Sequence, residues 1–233
     1  TRHRVHGVRQ RVYSRSLPEP LYPPQGTMGG FGEIAYYTDH FGQLQPEGPE
    51  MDAVYPLVAE VGGTVMIHPR TGQTAEQFAS VISKYPEIKF LFHGTNNRYG
   101  DEGEGTAILK LLSDYDFEDV FYTLDTASIL ETPEYPGTLQ MDPESAEEFV
   151  AAMNDLGVQE LAELAFEEYG QIIIDHPDRT MWATDVLNSW HFEDAGIDML
   201  VDFSRRFIAM LPEEFQEKFA FSNAWDAFNG YLD

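Results

Sequence analysis

The chain has 233 residues, no cysteine, and 14 basic against 40 acidic side chains, a formal charge of −26. Its length suffices for an α/β domain with a true core, and 42% hydrophobic with 13% aromatic residues exclude a disordered chain. Without cysteine there is no disulfide, thiolate nucleophile or Cys-based metal site, so any metal must be held by His, Asp or Glu.

The charge repels phosphate backbones and sets nucleic acid aside as a partner. Acids are spread along the whole chain, and only Lys84, Lys89, Lys110 and Lys218 are lysines. That is the pattern of an acidic halophilic-type surface, whose self-repulsion concentrated salt would screen; an ordinary acidic protein is the alternative. No run of about 18 apolar residues occurs, so no membrane span is expected. The opening Thr1-Arg-His-Arg-Val-His6 has no apolar segment and is not a signal peptide, which gives a cytoplasmic location as the expectation. A start at Thr1 rather than Met implies a processed, trimmed or partly represented chain.

Residues 14–50 are punctuated by Pro18, Pro20, Pro23, Pro24, Gly26, Gly29, Gly30, Gly32, Gly42, Pro46, Gly48 and Pro49, and read as a long loop. A loop of this length is a functional lid or a linker. From residue 51 apolar β-prone runs alternate with helical periodicity. A helix over 51–61 is closed by Gly62-Gly63, and the short strand 64–67 ends in His68-Pro69. A second helix, 74–85, carries Phe78, Val81 and Ile82 inward; the strand 89–92 after it ends in His93-Gly94. A third helix, 105–112, precedes the strand 120–124, which ends in Asp125. Two helices, 145–156 and 158–169, lead to a turn at Asp178-Arg179 and the strand 180–184, which ends in Asp185. Helices over 195–210 and 212–220 follow.

Alternating strands and helices predict a parallel sheet, either a (β/α)8 (TIM) barrel or a doubly wound sheet. Four consecutive strands ending in His68, His93, Asp125 and Asp185 favour the barrel, whose C-terminal rim is where such folds assemble their sites. One such His alone would read as a strand cap bonded to a loop. Two His and an Asp on one rim instead match a metal site, His68, His93 and Asp185, with zinc placed before manganese or iron. Such a cation lowers the pKa of a bound water to about 7, and Asp185 is placed to accept its proton. Arg70 is placed to bind a substrate carboxylate through its fork of donors, with Tyr and acid partners as the competing explanation.

At these residues the sequence resembles a known family. Gly63-Thr-Val-Met-Ile-His68-Pro69 and Tyr85-Pro-Glu-Ile-Lys-Phe-Leu-Phe-His93-Gly94 look like the paired strand motifs of the amidohydrolase superfamily, in its amidohydrolase-related, aminocarboxymuconate-semialdehyde decarboxylase-like branch. Asp119-Val-Phe-Tyr-Thr-Leu-Asp125-Thr resembles that branch's seventh strand, Asp178-Arg-Thr-Met-Trp-Ala-Thr184-Asp185 its eighth, and Phe219-Ala-Phe-Ser-Asn223-Ala224 its closing helix. The matches run in order over roughly 51–230.

The resemblance implies a metal-dependent barrel hydrolase or decarboxylase. In it His68 is a metal ligand on strand five, His93 a ligand or substrate-polarising group on strand six, and Asp185 a ligand that also handles protons. Asn223-Ala224 would be structural, and Asp125, not a regular ligand of the family, a substrate contact. The family's His-x-His of strand one is absent, and His3 and His6 are spaced to opposite faces of a strand. Counting back, residues 4–13 would be strand four, leaving strands one to three, on the order of 100 residues, unrepresented. After Asp185, where the family usually has an aromatic and Pro, Val186-Leu-Asn-Ser-Trp190-His191 follows. Trp190 and His191 either line a pocket over the metal or form an ordinary loop with a packed Trp; His40 and His176 read as structural or exposed.

The expectation is therefore one barrel domain over 1–233: a metal-dependent hydrolase attacking an amide, ester or lactone of a small-molecule substrate. Non-oxidative decarboxylation on the same scaffold and a non-catalytic barrel relative are the alternatives, and a homo-oligomer is compatible with all three.

Overall fold

The structure is a computed structural model that describes residues 29–36, 44–69, 72–93, 106–131, 143–186 and 189–229. In chain order these form β1 (Gly30–Ala35), α1 (Pro49–Glu60), β2 (Thr64–His68), α2 (Ala75–Lys84), β3 (Lys89–Phe92), α3 (Thr106–Asp114) and β4 (Val120–Asp125). Then come α4 (Thr126–Glu131), α5 (Ala146–Leu156), α6 (Val158–Asp175), β5 (Thr180–Ala183), α7 (Asp194–Ala209), α8 (Glu213–Glu217) and α9 (Asn223–Asn229). A 3-10 turn covers Ser189–Phe192, and a π-helical turn, Lys218–Ser222, joins α8 to α9.

Local chemistry explains several boundaries. Pro49 opens α1, where its missing N–H costs nothing, and Glu50 and Asp52 face the positive helix end. Thr74 and Gln77 form a reciprocal capping box at the start of α2, and the Ser145 hydroxyl caps α5 by accepting from the Glu148 N–H. Gly157, at φ 84°, turns the chain between α5 and α6 in a conformation that favours glycine.

All strand pairs are parallel, and the spatial order β1-β2-β3-β4-β5 repeats the sequence order. A doubly wound sheet would reverse direction at a switch point; here every crossover advances the same way, and right-handed crossovers then place the helices on one face. Val65, Ile67, Phe90, Phe92, Val120, Tyr122 and Leu124 alternate onto that face and join the main core. The opposite face carries a smaller cluster, Leu91, Phe121 and Met181 with Met66, covered by Ala224 and Ala227 of α9.

The N-terminal end of the sheet is tied by polar groups. The Asn223 side chain donates to the Pro177 and Thr180 carbonyls, each at 2.7 Å, and Lys89 donates to the Ala227 carbonyl at 2.7 Å. The Arg179 guanidinium donates to the carbonyls of Leu112, Tyr115 and Phe117, which closes the end of α3. Asn223-Ala224 thus has the structural place that the sequence implied.

Two expectations are corrected. Residues 14–50 are not all loop, because β1 lies within them and pairs with β2. A Cβ at Gly30 would stand 2.5 Å from the Thr64 carbonyl oxygen, and one at Gly32 2.7 Å from the Met66 Cβ. The glycines that read as loop punctuation therefore permit a close strand approach. The strand expected at 4–13 lies outside the described residues. The α/β class and parallel sheet are as expected, but no closed barrel is seen: among the described residues the sheet has five strands, and β1 and β5 each have one strand neighbour. The helix α4, directly after β4, was not anticipated. Among the described residues no helix is long and apolar enough to cross a membrane.

Replacing Asn223 with Ala is expected to cost about 1–3 kcal/mol, because two inward carbonyls lose their donor. Urea unfolding should show the midpoint shifted at unchanged slope; an unshifted midpoint would remove this tie from the account.

Candidate metal centre

The C-terminal ends of parallel strands lie side by side, so residues that end neighbouring strands converge without being near in sequence. β2 ends in His68, His93 directly follows β3, Asp125 ends β4, and Asp185 lies two residues beyond β5. Period-two alternation puts His68, His93 and Asp125 on the face of Met66, Leu91 and Phe121, away from the main core, and Asp185, past the end of β5, meets His93 and Asp125 there. Asp185 has φ 47°, a left-handed conformation that Asp tolerates better than most residues, so the chain turns immediately past the strand end.

A fifth group arrives from β1. Its register with β2 pairs Phe31 with Val65 and Ile34 with Ile67, so Gly32 and Glu33 together oppose Met66. This bulge adds one residue to β1 and re-aims Glu33. Glu33 Oε1 lies 3.0 Å from His93 Nε2 and 3.5 Å from His68 Nδ1, while the two imidazoles meet edge to face at 4.7 Å. The other nitrogen of His93, Nδ1, faces Asp125 Oδ2 at 3.7 Å. Exposure is graded: the side chains of His93 and Asp125 are 4% and 3% exposed, those of His68 and Glu33 20% and 36%. One side of the site is dry and the other opens toward solvent.

Ligating atoms fall into two groups, each within 4.8 Å: Glu33, His68 and His93, and His93, Asp125 and Asp185. His93 belongs to both. The expected set of His68, His93 and Asp185 is therefore divided, with His68 and Asp185 in different groups. Around a tetrahedral ion with bonds of about 2.0–2.1 Å, ligands stand roughly 3.3 Å apart, close to the 3.0 and 3.5 Å at which Glu33 meets His93 and His68. His93 Nε2 is also buried with no hydrogen-bond partner, although Glu33 Oε1 is near, because the carboxylate does not line up along a ring N–H. An orphaned buried nitrogen is rare in a folded protein, and a cation is a group that satisfies it. The donor set fits a divalent ion.

The same charges act on protonation. Burial pushes the His93 ring toward neutrality, but Asp125, aided by Glu33 and Asp185, outweighs burial and raises its pKa. At His191 burial wins over the pull of Asp185 and the pKa falls. At His176 burial and the Arg179 charge lower it, against Asp175.

Among the other sequence candidates, Trp190 and His191 are buried together: the Trp190 ring lies tilted against Phe149 with centroids 4.5 Å apart and against the His191 ring at 3.9 Å. Trp190 belongs to the main core. Arg70 and His40 lie outside the described residues. His176 is structural, its carbonyl accepting from the Arg179 and Thr180 N–H groups and from the Thr180 hydroxyl. Sequence reading missed Glu33; the signal was the β-prone Ile34-Ala-Tyr-Tyr37 that follows it. It also missed Thr126. The Thr126 hydroxyl accepts from Trp182 Nε1 at 2.8 Å and reaches the Ala183 carbonyl at 3.1 Å and Ser204 Oγ at 3.0 Å, tying the ends of β4 and β5 to α7.

No protein-family model matches the chain, and no curated protein does. Among solved structures it is similar to a candidate 2-pyrone-4,6-dicarboxylic acid hydrolase from Pseudomonas putida (13% identity, TM-score 0.45, 81% of this chain and 59% of that one). It is also similar to dihydroorotase from Campylobacter jejuni (13%, 0.45, 78% and 52%). A third is a candidate 2-pyrone-4,6-dicarboxylic acid hydrolase from Acinetobacter baumannii with citric acid bound (12%, 0.46, 81% and 61%). The chain spans 52% to 61% of the length of these structures.

In the metal-free protein, NMR titration of the rings should place His93 above the ordinary midpoint of about 6.5 and His176 and His191 below it. By linkage, the stability due to His93 is full below about pH 6.5 and is lost as pH rises through its raised midpoint. The two lowered rings act oppositely, costing stability as pH falls below about 6.5. A His93 midpoint below that of free histidine would contradict the charge arrangement described.

Proposed function

We propose that the chain is a metal-dependent hydrolase of the amidohydrolase type, its sheet being an arc of a (β/α)8 barrel. Glu33, His68 and His93 hold one divalent cation, zinc before manganese or iron. The observation that carries this reading is the orphaned Nε2 of His93, 3.0 Å from the Glu33 carboxylate that also meets His68. Three protein ligands with room for a fourth group is the pattern of a catalytic rather than a structural site. When bound, such a cation polarises a carbonyl and brings the pKa of a water to about 7.

The protein's own groups supply the rest. Asp185, in one cluster with His93 and Asp125 and partly open to solvent, accepts a proton from the attacking water and returns it to the leaving group. The exposed side of Glu33 and His68 is where a small amide, ester or lactone approaches. The buried side, floored by His93 and Asp125, keeps bulk water from the reacting groups.

Metal analysis after zinc loading and desalting should give one ion per chain, with Glu33→Gln and His93→Ala each weakening binding by about 100-fold, read by competition with a chelator. Asp185→Asn should keep the ion and lose about 100- to 10,000-fold in turnover across a panel of lactones, esters and amides. Zinc binding unaffected by Glu33→Gln and His93→Ala, or stability indifferent to chelator, would overturn the assignment.

A further inference from the structure

We propose that Asp125 is a positioning residue of this centre: it keeps the ring proton of His93 on Nδ1 and so leaves Nε2 unprotonated toward Glu33 and His68. The inference rests on the metal-site reading above and adds to it a group outside the ligand set. A neutral imidazole has one N–H, so only one ring nitrogen can be a ligand, and the partner of the other decides which.

His93 stands between two carboxylates that are not equivalent. Asp125 Oδ2 lies 3.7 Å from Nδ1 with its side chain 3% exposed; Glu33 Oε1 lies 3.0 Å from Nε2 with its side chain 36% exposed. Water screens the Glu33 charge, whereas that of Asp125 acts through a dry, low-dielectric surrounding. At 3.7 Å the Asp125 contact is electrostatic rather than a hydrogen bond, and Nε2 makes no hydrogen bond to Glu33 at 3.0 Å either, so the unequal burial of the two carboxylates decides between them. The ring proton therefore belongs on the Asp125 side.

Asp125 can do this because its backbone is held. The next residue, Thr126, is fastened through its hydroxyl to Trp182 and Ala183 of β5 and to Ser204 of α7, and Ser204 in turn donates to the Leu200 carbonyl at 2.7 Å. Trp182, Thr126 and Ser204 contribute three protons to four contacts, so two contacts share one proton and the hydroxyls orient one another. The clamp fixes the end of β4 against β5, and Asp125 is the last residue of β4. Through His93, this carboxylate orients a ligand that it does not itself replace.

The test uses the full chain with ¹⁵N-labelled histidine. Long-range ¹H–¹⁵N correlations on the metal-free wild type, at a pH where the ring is neutral, should show His93 protonated at Nδ1. In Asp125→Asn the side chain keeps its shape but offers an N–H to Nδ1, so the proton should move to Nε2 and Co²⁺ affinity should fall about 10- to 100-fold. Asp125→Ala, with neither donor nor acceptor, should give a mixture of tautomers. Far-UV circular dichroism confirms folding; if Asp125→Asn does not fold, the wild-type spectrum and Asp125→Ala decide. A wild-type His93 protonated at Nε2 would overturn the proposal, as would an Asn variant with unchanged tautomer and Co²⁺ affinity within about threefold. If the wild type shows the Nδ1 proton but binds no Co²⁺, the metal reading falls while the tautomer assignment stands.

Discussion

One imidazole ring meets carboxylates on both sides. His93 is nearly buried, with Glu33 beside Nε2, Asp125 beside Nδ1, and Asp185 in the same cluster as Asp125. Three carboxylates converging on a partly dry site repel one another and are costly to desolvate unless positive charge is supplied. Without an ion, protonation of His93 relieves part of that cost, which is why its pKa rises in spite of burial. A divalent cation supplies more charge than one proton and also satisfies the orphaned Nε2. The geometry of the strand ends therefore fits a cation, and the proposed function starts from that fit.

The residues at the strand ends are rigidly backed, because both ends of the sheet are tied. At the functional end the Thr126 hydroxyl joins β4, β5 and α7. At the opposite end Asn223 and Lys89 anchor α9 to the sheet, and Arg179 closes α3. Between these polar ties lie two apolar clusters: the large one fills the space between sheet and helices, and the small one backs the site. Side chains on such a scaffold lose little further freedom when a ligand arrives, which favours tight binding.

His68, His93, Asp125 and Asp185 were legible because each breaks an apolar β-prone run at its C-terminal end, and neighbouring parallel strands must bring such ends together. Glu33 was hidden for a physical reason. Its strand, Gly-Phe-Gly-Glu-Ile-Ala, is built with glycines where β2 approaches too closely for a Cβ, and glycine is also the commonest mark of a loop. The bulge that turns Glu33 toward the imidazoles is a matter of register between two strands, and no spacing within one strand records it. Trp190 and His191 show the same limit: an aromatic pair beside a strand end reads equally as pocket wall or core, and packing against Phe149 places Trp190 in the core.

By itself, the order of residues determined the α/β class, the parallel sheet and the exclusion of thiol chemistry, and it marked four of the five polar groups that meet at the strand ends. These depend on composition and short-range periodicity, which a chain carries wherever it folds. Tertiary structure alone decided the strand order, the bulge that brings Glu33 to the imidazoles, the division of the polar groups into two clusters sharing His93, and the unequal burial of its two carboxylates. Those depend on distances between segments tens of residues apart, set by how strands register and helices cover them.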